Sequence, residues 1–173
     1  MKIVCIGDSI TQGFGVFPFE TWVELMNETK KAKFINKGIN GDTTRGMLER
    51  FGRDVIDEKP DKVIIIGGAN DLMLMRDLDA IKSNMMTMVN QAKKNGIAPI
   101  IGTYLKIEEE IFDRYRDWIV EYCSASDVGC IDFYSLFDQQ KQHGYNYYLF
   151  DGIHPNREGY KLMAKIVHQY CFT

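Results

Sequence analysis

A single α/β domain, with helices on both faces of a parallel sheet, is predicted by three observations. Two unbroken apolar runs rich in β-branched residues, Ile3-Val4-Cys5-Ile6 and Val63-Ile64-Ile65-Ile66, read as strands buried on both faces. Segments with helical spacing of apolar residues stand between the strand-like runs, and this alternation is the order that right-handed crossovers wind into a parallel sheet. The 173 residues suffice to bury roughly two thirds of the surface that the unfolded chain exposes. No repeat, low-complexity segment or linker interrupts them, so residues 1–173 are read as one domain.

The first strand begins at Lys2 and is ended by Gly7, after which Asp8, Ser9 and Ile10 turn the chain. In an open parallel sheet ligands bind beyond the carboxyl ends of the strands, so a hydroxyl just past the first strand faces the expected site. An aromatic-rich loop, Gly13 to Phe19, leads to a helix with Trp22, Leu25 and Met26 on one face, then to a short strand around Phe34 and Ile35. Asp42, Thr43 and Thr44 are good N-cap types, and they precede an amphipathic stretch with Met47, Leu48, Phe51 and Val55 as its apolar face. The third strand, Val63 to Ile66, ends in Gly67, Gly68, Ala69, Asn70 and Asp71. Asp77 caps a helix in which Ile81, Met85, Met88, Val89 and Ala92 keep helical spacing until Asn95 and Gly96 stop it. A fourth strand at Ile97 to Gly102, a helix marked by Ile111, Tyr115, Trp118, Ile119 and Tyr122, and a fifth strand at Cys130 to Phe133 follow. A last helix starts near Asn156 and is predicted to bury Tyr160, Met163, Ala164, Val167 and Tyr170. The result is a three-layer αβα sandwich around a five-stranded parallel sheet, with the flavodoxin-like strand order.

Composition narrows the function classes. The chain is 45% hydrophobic and 26% charged with a net charge of -3, which provides no basic footprint for a polyanion, so nucleic acid is not an expected partner. Cys5, Cys123, Cys130 and Cys171 show neither metal-ligand spacing nor a disulfide framework and read as reduced core residues. One lysine and four apolar residues before Gly7 are too short for a signal-peptide core, and no apolar run approaches the ~20 residues that span a bilayer. A cytoplasmic protein without stable membrane insertion is therefore the expectation. Nothing in the sequence specifies an oligomeric state.

Three strand ends carry polar residues toward one crevice: Ser9 after the first strand, Gly41 after the second and Asn70 after the third. From the other end of the chain, Asp151-Gly152-Ile153-His154-Pro155 puts a carboxylate three residues before a histidine. One tight turn at that spacing can aim the carboxylate at one ring nitrogen while the other faces outward. A serine hydroxyl is a poor nucleophile without a base, and His154 is the histidine with a carboxylate so placed; His143 lies in a polar loop and His168 beside the apolar stripe of the last helix. Taken singly, each residue has an ordinary reading. Asp8, Ser9 and Gly41 are turn residues, and Asn70 and Asp71 are helix-cap types.

Together the blocks Gly7-Asp8-Ser9-Ile10, Asn40-Gly41-Asp42-Thr43, Gly68-Ala69-Asn70-Asp71 and Asp151 to Pro155 resemble the four sequence blocks of the SGNH hydrolases, also called GDSL esterases and lipases. The resemblance spans nearly the whole chain in the family's order; Ile10 stands where the name has leucine, a swap of similar volume outside the chemistry. It implies the flavodoxin-like SGNH hydrolase fold and a serine esterase that needs no metal or organic cofactor. Ser9 would be the nucleophile, His154 the general base and then acid, and Asp151 the partner that holds the imidazole tautomer. The oxyanion hole would comprise the N–H groups of Ser9 and Gly41 and the side-chain amide of Asn70. Asp8 would brace the serine turn, and Asp71 is read as a structural cap. The order serine, aspartate, histidine is also that of the α/β-hydrolases, but their Gly-x-Ser-x-Gly elbow is absent.

Competing readings are weaker. Asp8, Asp71 and Thr103 loosely echo a response-regulator receiver, a non-hydrolytic regulatory or binding module of flavodoxin-like order, but the acidic pair is missing and no lysine follows the fifth strand. Gly13 and Gly15 lack the third glycine of a dinucleotide fingerprint. Transfer of the acyl group to an alcohol other than water would use the same residues. For the substrate, Leu72, Met73, Leu74 and Met75 after Asn70 are candidate walls for an acyl chain, joined by Phe14, Phe17 and Phe19 and by Tyr145, Tyr147, Tyr148 and Phe150. The expected substrate is a small-molecule ester or thioester with an apolar acyl group, as in lysophospholipase, thioesterase or arylesterase-like members of the family. The alternative is a carbohydrate O-acetylesterase, with the aromatics as a saccharide platform.

Overall fold

The computed structural model describes residues 1–105 and 107–172. Five parallel strands, β1 (Lys2–Gly7), β2 (Lys33–Gly38), β3 (Lys62–Ile66), β4 (Ala98–Gly102) and β5 (Gly129–Ile131), lie in the order β2-β1-β3-β4-β5. This is the flavodoxin-like order, in which the winding direction reverses between β1 and β3 and opens a crevice there. Pairing register brings the strand ends level: Gly7 is opposite Gly38 on one side and Ile66 on the other. The three turns that follow β1, β2 and β3 therefore leave from one edge of the sheet.

Alternation along each strand divides the core in two. Val4, Ile6, Val63, Ile65 and Ile101 face α3 (Thr44–Phe51), α5 (Leu78–Lys94) and α6 (Glu110–Ser126), packing on Met47, Phe51, Met85, Met88, Phe112, Tyr115 and Ile119. Ile3, Cys5, Ile64, Ile66, Ile100 and Ile131 face α2 (Trp22–Glu28) and α8 (Arg157–Phe172), packing on Trp22, Met26, Tyr160, Met163 and Val167. Leu78–Lys94 begins, as predicted, at Asp77, whose side chain accepts from the Ala80 N–H.

Among the described residues three α-helices lie outside the predicted five. Two are short, α1 (Ser9–Gln12) and α4 (Ala69–Met73), and they carry Ser9 and Asn70. The third is α7 (Phe133–Gln142), and it corrects the end of the fifth strand, which stops at Ile131. Asp132 Oδ1 accepts from the Ser135 N–H at 3.2 Å and Thr103 Oγ1 from the Tyr134 N–H at 3.0 Å, so the chain at Phe133 already turns into a capped helix. Phe133 and Phe137 are then buried one turn apart on the face toward the sheet. The last helix keeps its predicted core residues except Tyr170, which is 42% exposed. The four cysteines are free thiols. Among the described residues no helix is long and apolar enough to cross a membrane.

Candidate active site

Ser9 is held by a helix only four residues long and clipped at both ends. Asp8 Oδ1 accepts from the Ile10 N–H at 3.0 Å at its start, and at its end Gly13, in the left-handed region, donates its N–H to the Ser9 carbonyl at 2.9 Å. Gly7 permits this tight exit from the sheet, because a Cβ there would sit 2.2 Å from Thr11 Oγ1 and 2.6 Å from the Ile66 carbonyl. As the first helical residue, Ser9 has an N–H with no carbonyl one helical turn behind it.

His154 arrives from the other end of the chain on a short antiparallel clip. Tyr148 bridges Pro155, the Leu149 N–H donates to the His154 carbonyl at 2.8 Å, and the Asn156 N–H to the Tyr147 carbonyl at 2.8 Å. Within it the Asp151 carboxylate accepts from the N–H groups of Ile153 (2.9 Å) and His154 (3.0 Å) through Oδ1, leaving Oδ2 at 2.8 Å from His154 Nδ1. His154 Nε2 lies 2.9 Å from Ser9 Oγ. The Phe14 ring stands against the imidazole at a centroid distance of 4.4 Å, and Tyr160 donates its hydroxyl to the Phe14 carbonyl at 3.2 Å. Burial on its own raises the Asp151 carboxyl, but the Ile153 N–H, the two bonds from His154 and the His154 charge outweigh it, and the group sits below the ordinary carboxylate range. An ionised carboxylate, an imidazole and a hydroxyl thus stand in one line.

The turn after β2 supplies Gly41, exposed at φ +73° with nothing within 4 Å of where a Cβ would be. Asn70 Nδ2 donates to the Asp42 carbonyl at 2.9 Å and stands 3.5 Å from Asp8 Oδ2. Asp8 is 2% exposed, and burial pushes its carboxyl up to about 6, against the Ile10 N–H and the His154 charge. Asp71 has the structural role expected of it, though it serves another helix: its two oxygens accept from the Thr44 N–H at 2.8 Å and the Thr44 hydroxyl at 2.9 Å, capping the start of α3.

Arg50 and Asp54 are residues of this region that the sequence did not single out. Arg50 is buried among Met47 and Phe51, and it pairs with Asp42 (Nε to Oδ2, 2.8 Å) and Asp54 (Nη1 to Oδ2, 2.9 Å). The available signal was an arginine within the apolar stripe of a helix with an aspartate four residues later.

The expected acyl wall is corrected in part. Leu72 is 6% exposed and belongs to the core between the sheet and α3, α5 and α6, because α4 turns it inward beside Ala69. Met73, Leu74 and Met75 are exposed. A cavity of about 540 Å³ opens beside Asp151, bounded by Tyr148, Leu149, Phe150, Glu108, Glu109 and Asp138 among others, and neither Ser9 and His154 nor any of residues 72–75 is among the described residues that line it. Tyr147 and Tyr148 are partly buried against Phe137, whereas Phe150 is fully exposed.

Known proteins similar to this chain include named esterases. The model of the GDSL-like Lipase/Acylhydrolase family matches residues 5–162. An arylesterase of Vibrio mimicus is 25% identical over 174 residues, covering 97% of this chain and 86% of its own. An acetylxylan esterase of Geobacillus stearothermophilus is 26% identical over 198 residues, covering 95% and 90% respectively. The crystal structure of a member of the lipolytic protein G-D-S-L family from Veillonella parvula DSM 2008 superposes with a TM-score of 0.89 at 25% identity, over 99% of this chain and 98% of that one. The chain spans about half the length of a further relative, the lipoprotein YqeF of Bacillus subtilis (strain 168), with 29% identity over 120 residues that make up 62% of this chain and 49% of that protein.

Proposed function

The chain belongs to the GDSL-like lipase/acylhydrolase family, a family of ester hydrolases, and from that premise we propose that residues 1–173 form one serine esterase domain that cleaves carboxylic esters or thioesters through an acyl-serine intermediate. The observation that carries the proposal is the unbroken relay Ser9 Oγ, His154 Nε2, His154 Nδ1 and Asp151 Oδ2, with steps of 2.9 and 2.8 Å.

In this mechanism His154 Nε2 takes the hydroxyl proton as Ser9 Oγ bonds to the ester carbonyl carbon, and the carbonyl π pair moves onto oxygen. Asp151 stays ionised, holds Nδ1–H and stabilises the imidazolium. The oxyanion rests on the N–H of Ser9, the N–H of Gly41 and the Asn70 amide. When the C–O bond to the alcohol breaks, His154 returns its proton to the leaving oxygen. Water then attacks the acyl-Ser9 carbonyl with His154 again as base, and His154 passes that proton to Ser9 Oγ as the acyl C–O bond breaks and the carboxylic acid departs. Asp8, held at Ile10 and close to Asn70, braces two of these groups and takes no proton from substrate.

We place esters and thioesters with an apolar acyl group first. Phe14 in ring contact with His154, and the exposed side chains of Phe17, Met73, Leu74 and Met75, support that reading. Release of acetyl groups from a saccharide is the second reading, favoured by the acetylxylan esterase relative and by Phe150, fully exposed at the cavity beside Asp151. Hydrolysis of p-nitrophenyl esters from acetate to long-chain acyl groups, with Ser9→Ala as the blank, tests both. Serine-dependent turnover rising with chain length supports the first reading and turnover confined to acetate the second; turnover unaffected by Ser9→Ala refutes the acyl-serine mechanism.

A further inference from the structure

We infer that Arg50 is a positioning residue for the oxyanion hole: one buried guanidinium, joined to Asp42 and to the Gly7 carbonyl, sets the spacing of the three donors. The inference rests on the acyl-serine reading of the site. Arg50 is 9% exposed and each nitrogen of its fork has its own acceptor: Nε donates to Asp42 Oδ2 at 2.8 Å, Nη1 to Asp54 Oδ2 at 2.9 Å and Nη2 to the Gly7 carbonyl at 3.1 Å. Gly7 lies two residues before Ser9, and its carbonyl also accepts from the Ile39 N–H at 3.0 Å, which ties the turn after β2 to the end of β1. Asp42 directly follows Gly41. Its Oδ1 accepts from the Thr43 N–H at 2.9 Å, and its carbonyl accepts from Asn70 Nδ2 at 2.9 Å.

From Arg50 three short paths thus lead to Ser9, Gly41 and Asn70. Gly41 is the donor most in need of support, because it is exposed and nothing within 4 Å of its Cβ position props it from that side. Its orientation passes through Asp42, whose carboxylate is pinned at one oxygen by Arg50 and at the other by Thr43. An oxyanion hole works by having its donors aimed before charge develops, and misplacement by ~1 Å costs on the order of 100-fold in rate. Arginine suits the task because its rigid planar fork meets three acceptors in fixed directions; a lysine ammonium has the charge without that geometry. The second partner of Asp54, Arg53, is 74% exposed at its side chain and touches neither turn, so it serves as the control.

The test is steady-state hydrolysis of p-nitrophenyl acetate by Arg50→Lys, Asp42→Asn, Asn70→Ala, the double variant Arg50→Lys/Asn70→Ala and Arg53→Gln, beside wild type and Ser9→Ala. Arg50→Lys and Asp42→Asn should each lower kcat by roughly 10- to 100-fold and leave KM within about threefold, as loss of transition-state stabilisation does. In Arg50→Lys, which keeps the positive charge and touches neither His154 nor Asp151, the pH at half-maximal kcat/KM should not move, and Arg53→Gln should keep the wild-type kcat. The double variant should lose less than the product of the two single losses, because part of the Arg50 effect runs through the Asp42 carbonyl that Asn70 bonds. Wild-type kcat in Arg50→Lys and Asp42→Asn, a shifted pH profile in Arg50→Lys, or fully multiplicative losses in the double variant would overturn the inference. Turnover that survives Ser9→Ala instead overturns the acyl-serine reading beneath it, so the two failures are distinct.

Discussion

Ser9 Oγ and His154 Nε2 stand 2.9 Å apart across 145 residues of sequence. The hydroxyl is set by the four-residue helix after β1 and the imidazole by the antiparallel clip before α8, so the contact joins two independently braced segments. Ser9→Ala should therefore remove all detectable ester turnover without disturbing either segment. A fluorophosphonate should add to wild type at Ser9 and not to the variant, read by intact mass and peptide mapping.

Asp151→Asn should keep the bonds from the Ile153 and His154 N–H groups, which use Oδ1, and lose the acceptor at Oδ2 that holds His154 Nδ1–H. An amide there favours the wrong tautomer, with a loss on the order of 10,000-fold in kcat in the serine-protease precedent. Rates from single-turnover kinetics at neutral pH check this, and a variant within about tenfold of wild type would mean that Asp151 is not the orienting partner.

Asn70→Ala should lower kcat by roughly 100-fold or more while KM for short esters changes little. Its amide also bonds the Asp42 carbonyl, so a modest fall of about 1 kcal/mol in stability is expected alongside. Chemical denaturation separates that fall from the kinetic effect.

Buried Asp8 carries a pH signature. Its folded carboxyl titrates at about 6, above the usual value near 3.8, so the folded state binds the proton more tightly than the unfolded state does. Its contribution to stability is fully present below about pH 4 and is lost as the pH rises through 6, a change of about 3 kcal/mol. Asp8→Asn removes this slope. Urea unfolding of both proteins at pH 4, 5, 6 and 7 should show the variant gaining on wild type as the pH rises, and parallel stability curves would contradict the assignment.

Leu72 and Met75 are predicted to behave oppositely. Leu72→Ala should cost about 2–5 kcal/mol, as a cavity in a packed core does, and leave the acyl-chain optimum where it was. Met75, at 92% exposure, should tolerate alanine within about 0.5 kcal/mol. Replacing Met73, Leu74 and Met75 together by alanine should lower kcat/KM for long-chain p-nitrophenyl esters relative to acetate by about threefold or more, if these side chains meet the acyl group.

Local chemistry determined what was legible in the sequence alone. Ile3 to Ile6 and Val63 to Ile66 are apolar without alternation and so read as strands buried on both faces, and the helices between them argued for parallel pairing. Asp151 and His154 are three residues apart, so their mutual contact is a short-range property that a turn can satisfy. Tertiary structure decided the rest, because it depended on which distant groups share a volume. The burial of Leu72 follows from the face that α4 turns toward the sheet, and α7 depends on Thr103, 31 residues before Tyr134, accepting that residue's N–H. Arg50 is the clearest case: a charge inside an apolar stripe is costly until acceptors surround it, and while Asp54 lies one helical turn on, only the folded sheet brings the Gly7 carbonyl, 43 residues away, to the same guanidinium.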